Sequence, residues 1–190
     1  MHDDAPALLL IAHGSRDPRH RATVAALTRR VAALRPGLRV AAGYLDFDTP
    51  AVDAALTRLA ASGVREVVAV PLLLTRAFHA KTDIPSVLAA ASARLPGLTV
   101  RRAPVLGPSP LLTAALERRL AEAGVRPAHR SSTGIVLASA GSSDPEAIAG
   151  IAHVAREWRR TTGWCAVRPA FASAALPTTA DAVRALRADG

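Results

Sequence analysis

Apolar residues in this chain fall into short unbroken runs separated by longer stretches in which they recur every three or four positions. Runs of that length bounded by turn residues read as buried strands, and the longer period reads as amphipathic helix. The pattern predicts a first strand over Ala7 to Ala12 and a helix from Pro18 to about Leu34, with Asp17 as its cap and Pro36-Gly37 as its stop. A strand from Arg39 to Leu45 follows, then a helix opened by Thr49-Pro50 and closed by Gly63, and a third strand from Glu66 to Leu74. A helix from Ile84 to Leu95, a strand from Leu98 to Ala103 and a helix from Pro110 to Ala123 complete the first part. After a linker over Gly124 to Thr133 come a strand (Gly134 to Ala138), a helix (Pro145 to Arg160), a strand (Cys165 to Phe171) and a helix (Pro177 to Leu186). Alternation of this kind predicts an α/β fold with parallel strands and helices on both faces.

The second series repeats the first. Ala12-His13-Gly14-Ser15-Arg16-Asp17-Pro18 is matched by Ser139-Ala140-Gly141-Ser142-Ser143-Asp144-Pro145, an offset of 127 residues from His13 to Ala140. At the same offset Val40 meets Val167, Pro50 meets Pro177, Ala55 meets Ala182, Leu59 meets Leu186 and Gly63 meets Gly190. Internal repetition predicts two similar lobes, residues 1–124 and 133–190, the second incomplete because it stops where its third strand should begin. The stop is expected to leave a sheet edge without the neighbour that the first copy has. His13 has no counterpart in the second copy, so the chemistry is expected in the first.

Composition narrows the classes. Half of the 190 residues are apolar and 3% are aromatic, which suits helices laid on short strands. The formal net charge is +9, and Lys81 is the single lysine among the basic residues. The arginines are scattered and no aromatic platform accompanies them, so no nucleic-acid partner is expected, whereas a polycarboxylate ligand suits forked guanidinium donors. One cysteine, Cys165, excludes an internal disulfide and reads as a small buried apolar residue. With no run of membrane-spanning length, a soluble cytoplasmic protein is expected.

His13 falls at the C-terminal end of the first strand, and His79 just past the end of the third. In a flavodoxin-like sheet those strands are neighbours where the winding reverses, and ligands bind outside their carboxyl ends. Two imidazoles there can ligate a divalent metal or accept protons near neutral pH. The alternative for the His13-Gly14-Ser15 turn is an anion site built from backbone N–H groups at a helix start. His2, His20, His129 and His153 read as surface residues. A histidine phosphatase would need arginine where Ala12 stands, and no esterase elbow or nucleotide-binding glycine motif occurs.

Together, Ala12 to Pro18, Tyr44-Leu45-Asp46 before Pro50, Val70 to Leu74 and His79-Ala80-Lys81-Thr82-Asp83-Ile84-Pro85 resemble the cobalt- and iron-inserting sirohydrochlorin chelatases of the CbiX/SirB type. The resemblance implies a two-lobed type II chelatase fold, His13 and His79 as metal-binding and catalytic residues, and no organic cofactor, with Co²⁺ or Fe²⁺ as substrate. It also implies sirohydrochlorin as the partner, held by Ser15, Arg16, Asp46, Arg76 and Lys81, in a protein working as a monomer or homodimer. A non-catalytic carrier of tetrapyrrole or metal, or an inactive remnant, is the alternative. Two positions depart from the family pattern: Asp46 stands where glutamate is usual, and Arg76-Ala77-Phe78 replaces a small, glycine-containing stretch.

Overall fold

Strand β1 (Ala7–Ala12) is the centre of the first sheet, because its side chains alternate between two apolar faces and both can be covered. The computed structural model describes residues 5–75 and 79–189, with the side chains of His79 and Ala80 outside the description. β2 (Val40–Tyr44) and β3 (Glu66–Pro71) pair with β1 on either side, β4 (Thr99–Arg102) pairs with β3, and every pairing is parallel. The order β2-β1-β3-β4 is that of a flavodoxin-like sheet. Leu9 and Ile11 point to the face covered by α2 (Val52–Ala61) and α3 (Ile84–Arg94), where they pack with Val52, Leu56, Val67 and Ile84. On the other face Ala12 and Tyr44 pack with Val24 of α1 (Pro18–Leu34).

α1 begins where the sequence places it, with Pro18 in its first turn and the Asp17 carboxylate accepting from Arg19 N–H. The third strand ends at Pro71, three residues before the predicted Leu74: register with β1 runs out at Ile11 opposite Pro71, and Leu72 N–H closes the edge on Ile11 O. α2 begins at Val52 and not at Pro50, whose carbonyl accepts from Tyr44 N–H.

The chain divides into two units, one ending at Leu106 and the other running from Gly107 together with Thr75. In the second, β5 (Gly134–Ser139) and β6 (Ala166–Phe171) form a parallel pair with α5 (Pro145–Thr162) and α6 (Thr179–Ala188). α4 (Pro110–Glu122), read in the sequence as the last helix of the first lobe, groups with this unit, its Leu116 and Leu120 packing on Ile135, Trp158, Trp164 and Val167. Glu117 of α4 fastens the cluster. One carboxylate oxygen accepts from the indole N–H groups of Trp158 (2.5 Å) and Trp164 (2.7 Å), and the other from Arg130 (2.6 Å), whose guanidinium lies over the Trp164 ring. The predicted linker holds a 3₁₀ turn, Pro127–Ser132. Cys165 is exposed, a correction to its reading as a buried apolar residue: its N–H is tied to Arg130 O, which holds it at the rim ahead of β6.

The two copies agree in backbone detail. Gly14 and Gly141 have φ +97° and +99°, Phe47 and Ala174 share φ +58°, and the Thr49-Pro50 and Leu176-Pro177 bonds are both cis. Asp46 N–H donates to His13 O as Ser173 N–H donates to Ala140 O, and Tyr44 is bridged to Ala51 as Phe171 is to Thr178.

Candidate functional site in the first copy

The turn after β1 is built by glycine and serine. A Cβ on Gly14 would lie 1.8 Å from Asp46 O, so only glycine lets the two loops meet there. Ser15 Oγ accepts from Asp17 N–H at 3.1 Å, turning the chain into α1, and Ser15 N–H donates to Asp48 Oδ2 at 3.1 Å. Ser142 repeats the first of these bonds at 3.0 Å, so the serine hydroxyl belongs to the turn in both copies. The alternative anion site at this turn meets an obstacle: the Asp48 carboxylate already takes the Ser15 N–H and places its own negative charge there.

His13 sits half-buried on this turn, its Nδ1 3.2 Å from Gly14 O. In the tautomer with the proton on Nδ1, that nitrogen donates to Gly14 O. The His13 ring lies 6.2 Å from the Phe47 ring at 33°, and the Arg16 guanidinium carbon is 5.2 Å from the Phe47 centroid. Asp46 is exposed beside them and caps its own loop, accepting from Phe47 N–H at 2.8 Å.

Behind this surface lies a second group that the sequence did not reveal. His20, read as a surface residue, is half-buried with Nδ1 3.5 Å from Asp48 Oδ2, and its ring lies 6.3 Å from that of Tyr44. The Asp48 side chain is 9% exposed. Burial, followed by the Asp48 charge, pushes the Tyr44 phenol above its ordinary pKa. The signal for this group is visible only once the repeats are aligned, since Asp48, His20 and Tyr44 face Ala175, Ala147 and Phe171 in the second copy.

His79 opens a five-residue π-turn, His79–Asp83, that runs directly into α3. Its backbone follows β3, the neighbour of β1, while its side chain and the whole of Arg76 lie outside the described residues. Lys81 is exposed on the same π-turn. Of the expected site residues, His13, Ser15, Arg16 and Asp46 therefore gather at one turn, and Lys81 stands on the segment after β3. Among the described residues no three His, Cys, Asp or Glu side chains assemble as a metal cage. In the second unit a cavity of about 740 Å³ opens beside Pro108, Thr113, His153 and Trp158, but its carboxylates are committed, Glu117 to the indoles and Arg130, Glu157 to Arg160.

A parallel sheet in flavodoxin-like order with a histidine on the first βα turn, and a second copy with alanine at that position, defines a duplicated α/β protein whose first copy carries His13 at the switch point of its sheet. The chain belongs to the CbiX family, whose sequence profile matches residues 7–123 and 134–190. It is 35% identical over 82 residues to a sirohydrochlorin cobaltochelatase of Methanopyrus kandleri, an alignment covering 43% of this chain and 57% of that protein. It is 27% identical over 154 residues to a sirohydrochlorin ferrochelatase of Bacillus subtilis, covering 80% and 58%. The chain thus spans a little under three fifths of either curated relative. Its fold is similar to that of SirB from Bacillus subtilis solved with Fe3+, with a TM-score of 0.86, 24% identity, and coverage of 95% of this chain and 70% of the other. Among the described residues no helix is long and apolar enough to cross a membrane.

Proposed function

We propose that this protein inserts a divalent metal, Co²⁺ or Fe²⁺, into sirohydrochlorin. The single observation that carries the reading is His13 at the switch point of a CbiX-family sheet, on the strand next to the one that leads to His79. The curated relatives bear the names of sirohydrochlorin cobaltochelatases and ferrochelatases, which supplies the substrate and both metals.

Insertion requires the ion to shed water, reach the ring centre, and displace two pyrrole N–H protons. His13 and His79 are the proposed ligands and proton acceptors: neutral imidazole holds a borderline divalent ion loosely enough to release it, and a vacated lone pair takes up a proton. The ring's carboxylate rim suits Arg16, Arg76 and Lys81 as donors, with Ser15 and Asp46 at the same turn. Asp46, one methylene shorter than glutamate, stands within the loop bonded to the His13 carbonyl, where a carboxylate steers an incoming cation. No organic cofactor enters this chemistry, and a cytoplasmic setting fits a soluble polycarboxylate substrate.

An anaerobic absorbance time course of sirohydrochlorin with Co²⁺ and, separately, Fe²⁺ tests the reading. Insertion above the uncatalysed rate, lost in His13→Ala and in His79→Ala, is expected; a rate equal to background while the ring still binds would make the protein a carrier.

A further inference from the structure

Phe47 differs from every other described aromatic residue of this chain in both exposure and backbone. The other described aromatic side chains, Tyr44, Trp158, Trp164 and Phe171, are 3–4% exposed, whereas Phe47 is 53% exposed. Its φ of +58° is left-handed, a conformation that costs a bulky side chain of order 1–3 kcal/mol. The turn does not need the ring: Ala174 holds the same φ at the matching position of the second copy, with the same loop bonds around it. A ring that is strained, exposed and dispensable to the fold requires another reason.

Its neighbours supply one. The His13 imidazole lies 6.2 Å from the Phe47 ring, centroid to centroid, and the Arg16 guanidinium carbon lies over the ring, 5.2 Å from its centroid. All three are absent from the second copy, where Ala140, Ser143 and Ala174 stand instead. Imidazole, aromatic ring and cation occur together in one loop and are lost together in the other.

We propose that Phe47 and Arg16 form a stacking platform for a flat, carboxylate-rimmed macrocycle, a specificity-determining surface that holds the ring against His13. The inference rests on the chelatase reading for the identity of the macrocycle. The aromatic face attracts the apolar face of the ring by dispersion, and the guanidinium over Phe47 keeps its forked donors for a rim carboxylate. Contact of one conjugated face with Phe47 holds the macrocycle at the His13 turn equally before and during insertion, so its loss is read in affinity and KM.

Phe47→Ala tests this without endangering the fold, since alanine already occupies the matching φ in Ala174. Affinity for metal-free sirohydrochlorin is read from the ring's own fluorescence, and kcat and KM from insertion. Loss of one stacking contact predicts roughly tenfold weaker binding and a KM raised by a similar factor, with kcat changed less than about threefold. Phe47→Tyr restores both values and Phe47→Leu, apolar but not planar, does not. Unchanged affinity in Phe47→Ala overturns the platform whatever the turnover. Affinity that falls as expected, in a protein whose wild type inserts no metal, retains the platform and removes the chelatase reading.

Discussion

The turns after β1 and β5 have one backbone and two chemistries. Both pass through a left-handed glycine against a carbonyl of the following loop, both start a helix at an aspartate cap, and both reach a cis proline. On that shared frame the first carries His13, Arg16, Asp46, Phe47 and Asp48, and the second Ala140, Ser143, Ser173, Ala174 and Ala175. The second copy therefore acts as an internal control: what the two turns share belongs to the fold, and what only the first carries is what the proposed site draws on. By that criterion Gly14, the Ser15 hydroxyl and the Asp17 carboxylate are architectural.

The largest expected effect breaks the shared part. A methyl at Gly14 or Gly141 meets a backbone oxygen at 1.8 Å and a φ near +100°, so Gly14→Ala and Gly141→Ala should each destabilise their own unit by roughly 3 kcal/mol or more. Both tryptophans lie in the second unit, so tryptophan emission followed through denaturation should respond more to Gly141→Ala, while ring binding should respond to Gly14→Ala. Equal responses to the two variants would deny the units separate sites.

Glu117→Ala comes next. It leaves two indole N–H groups without their acceptor and the Arg130 guanidinium with Thr162 O alone, a loss of about 2–3 kcal/mol visible as a lower urea midpoint and a red shift of tryptophan emission. Binding at the His13 turn should be unaffected. A third, smaller effect sharpens the contrast between turns: Asp48→Ala removes the acceptor of Ser15 N–H and the partner of His20, and should cost about 1–2 kcal/mol with a measurable rise in KM. An Asp48→Ala protein with unchanged stability and kinetics would reduce the difference between the turns to the exposed residues alone.

Much of this was legible in the sequence because it follows from local rules. β1 and α1 have the predicted bounds, the other elements start or end within a few residues of expectation, and the adjacency of β1 and β3 follows from their connections. His13 at the end of β1 is a consequence of the same pattern. What escaped depends on the third dimension. The amphipathic face of α4 says that the helix packs, not on which sheet, and Glu117 becomes a clasp only when two tryptophans from other segments converge on it. Ser15 and Asp48 are 33 residues apart and meet because two loops touch at Gly14. The exposure of Phe47 is set by a left-handed residue in a loop, and the π-turn at His79–Asp83 by hydrogen bonding that hydrophobic period does not encode.

On the proposed reading, metal insertion resides in the first turn and not in the shared scaffold. That placement is tested most directly by moving the histidine: the wild type, His13→Ala, and the double variant His13→Ala/Ala140→His are compared in the anaerobic sirohydrochlorin assay with Co²⁺. Insertion should fall to the uncatalysed rate in His13→Ala and stay there in the double variant, because the second turn lacks Arg16, Asp46 and Phe47 as well. Wild-type rates in either variant would place insertion outside the first turn.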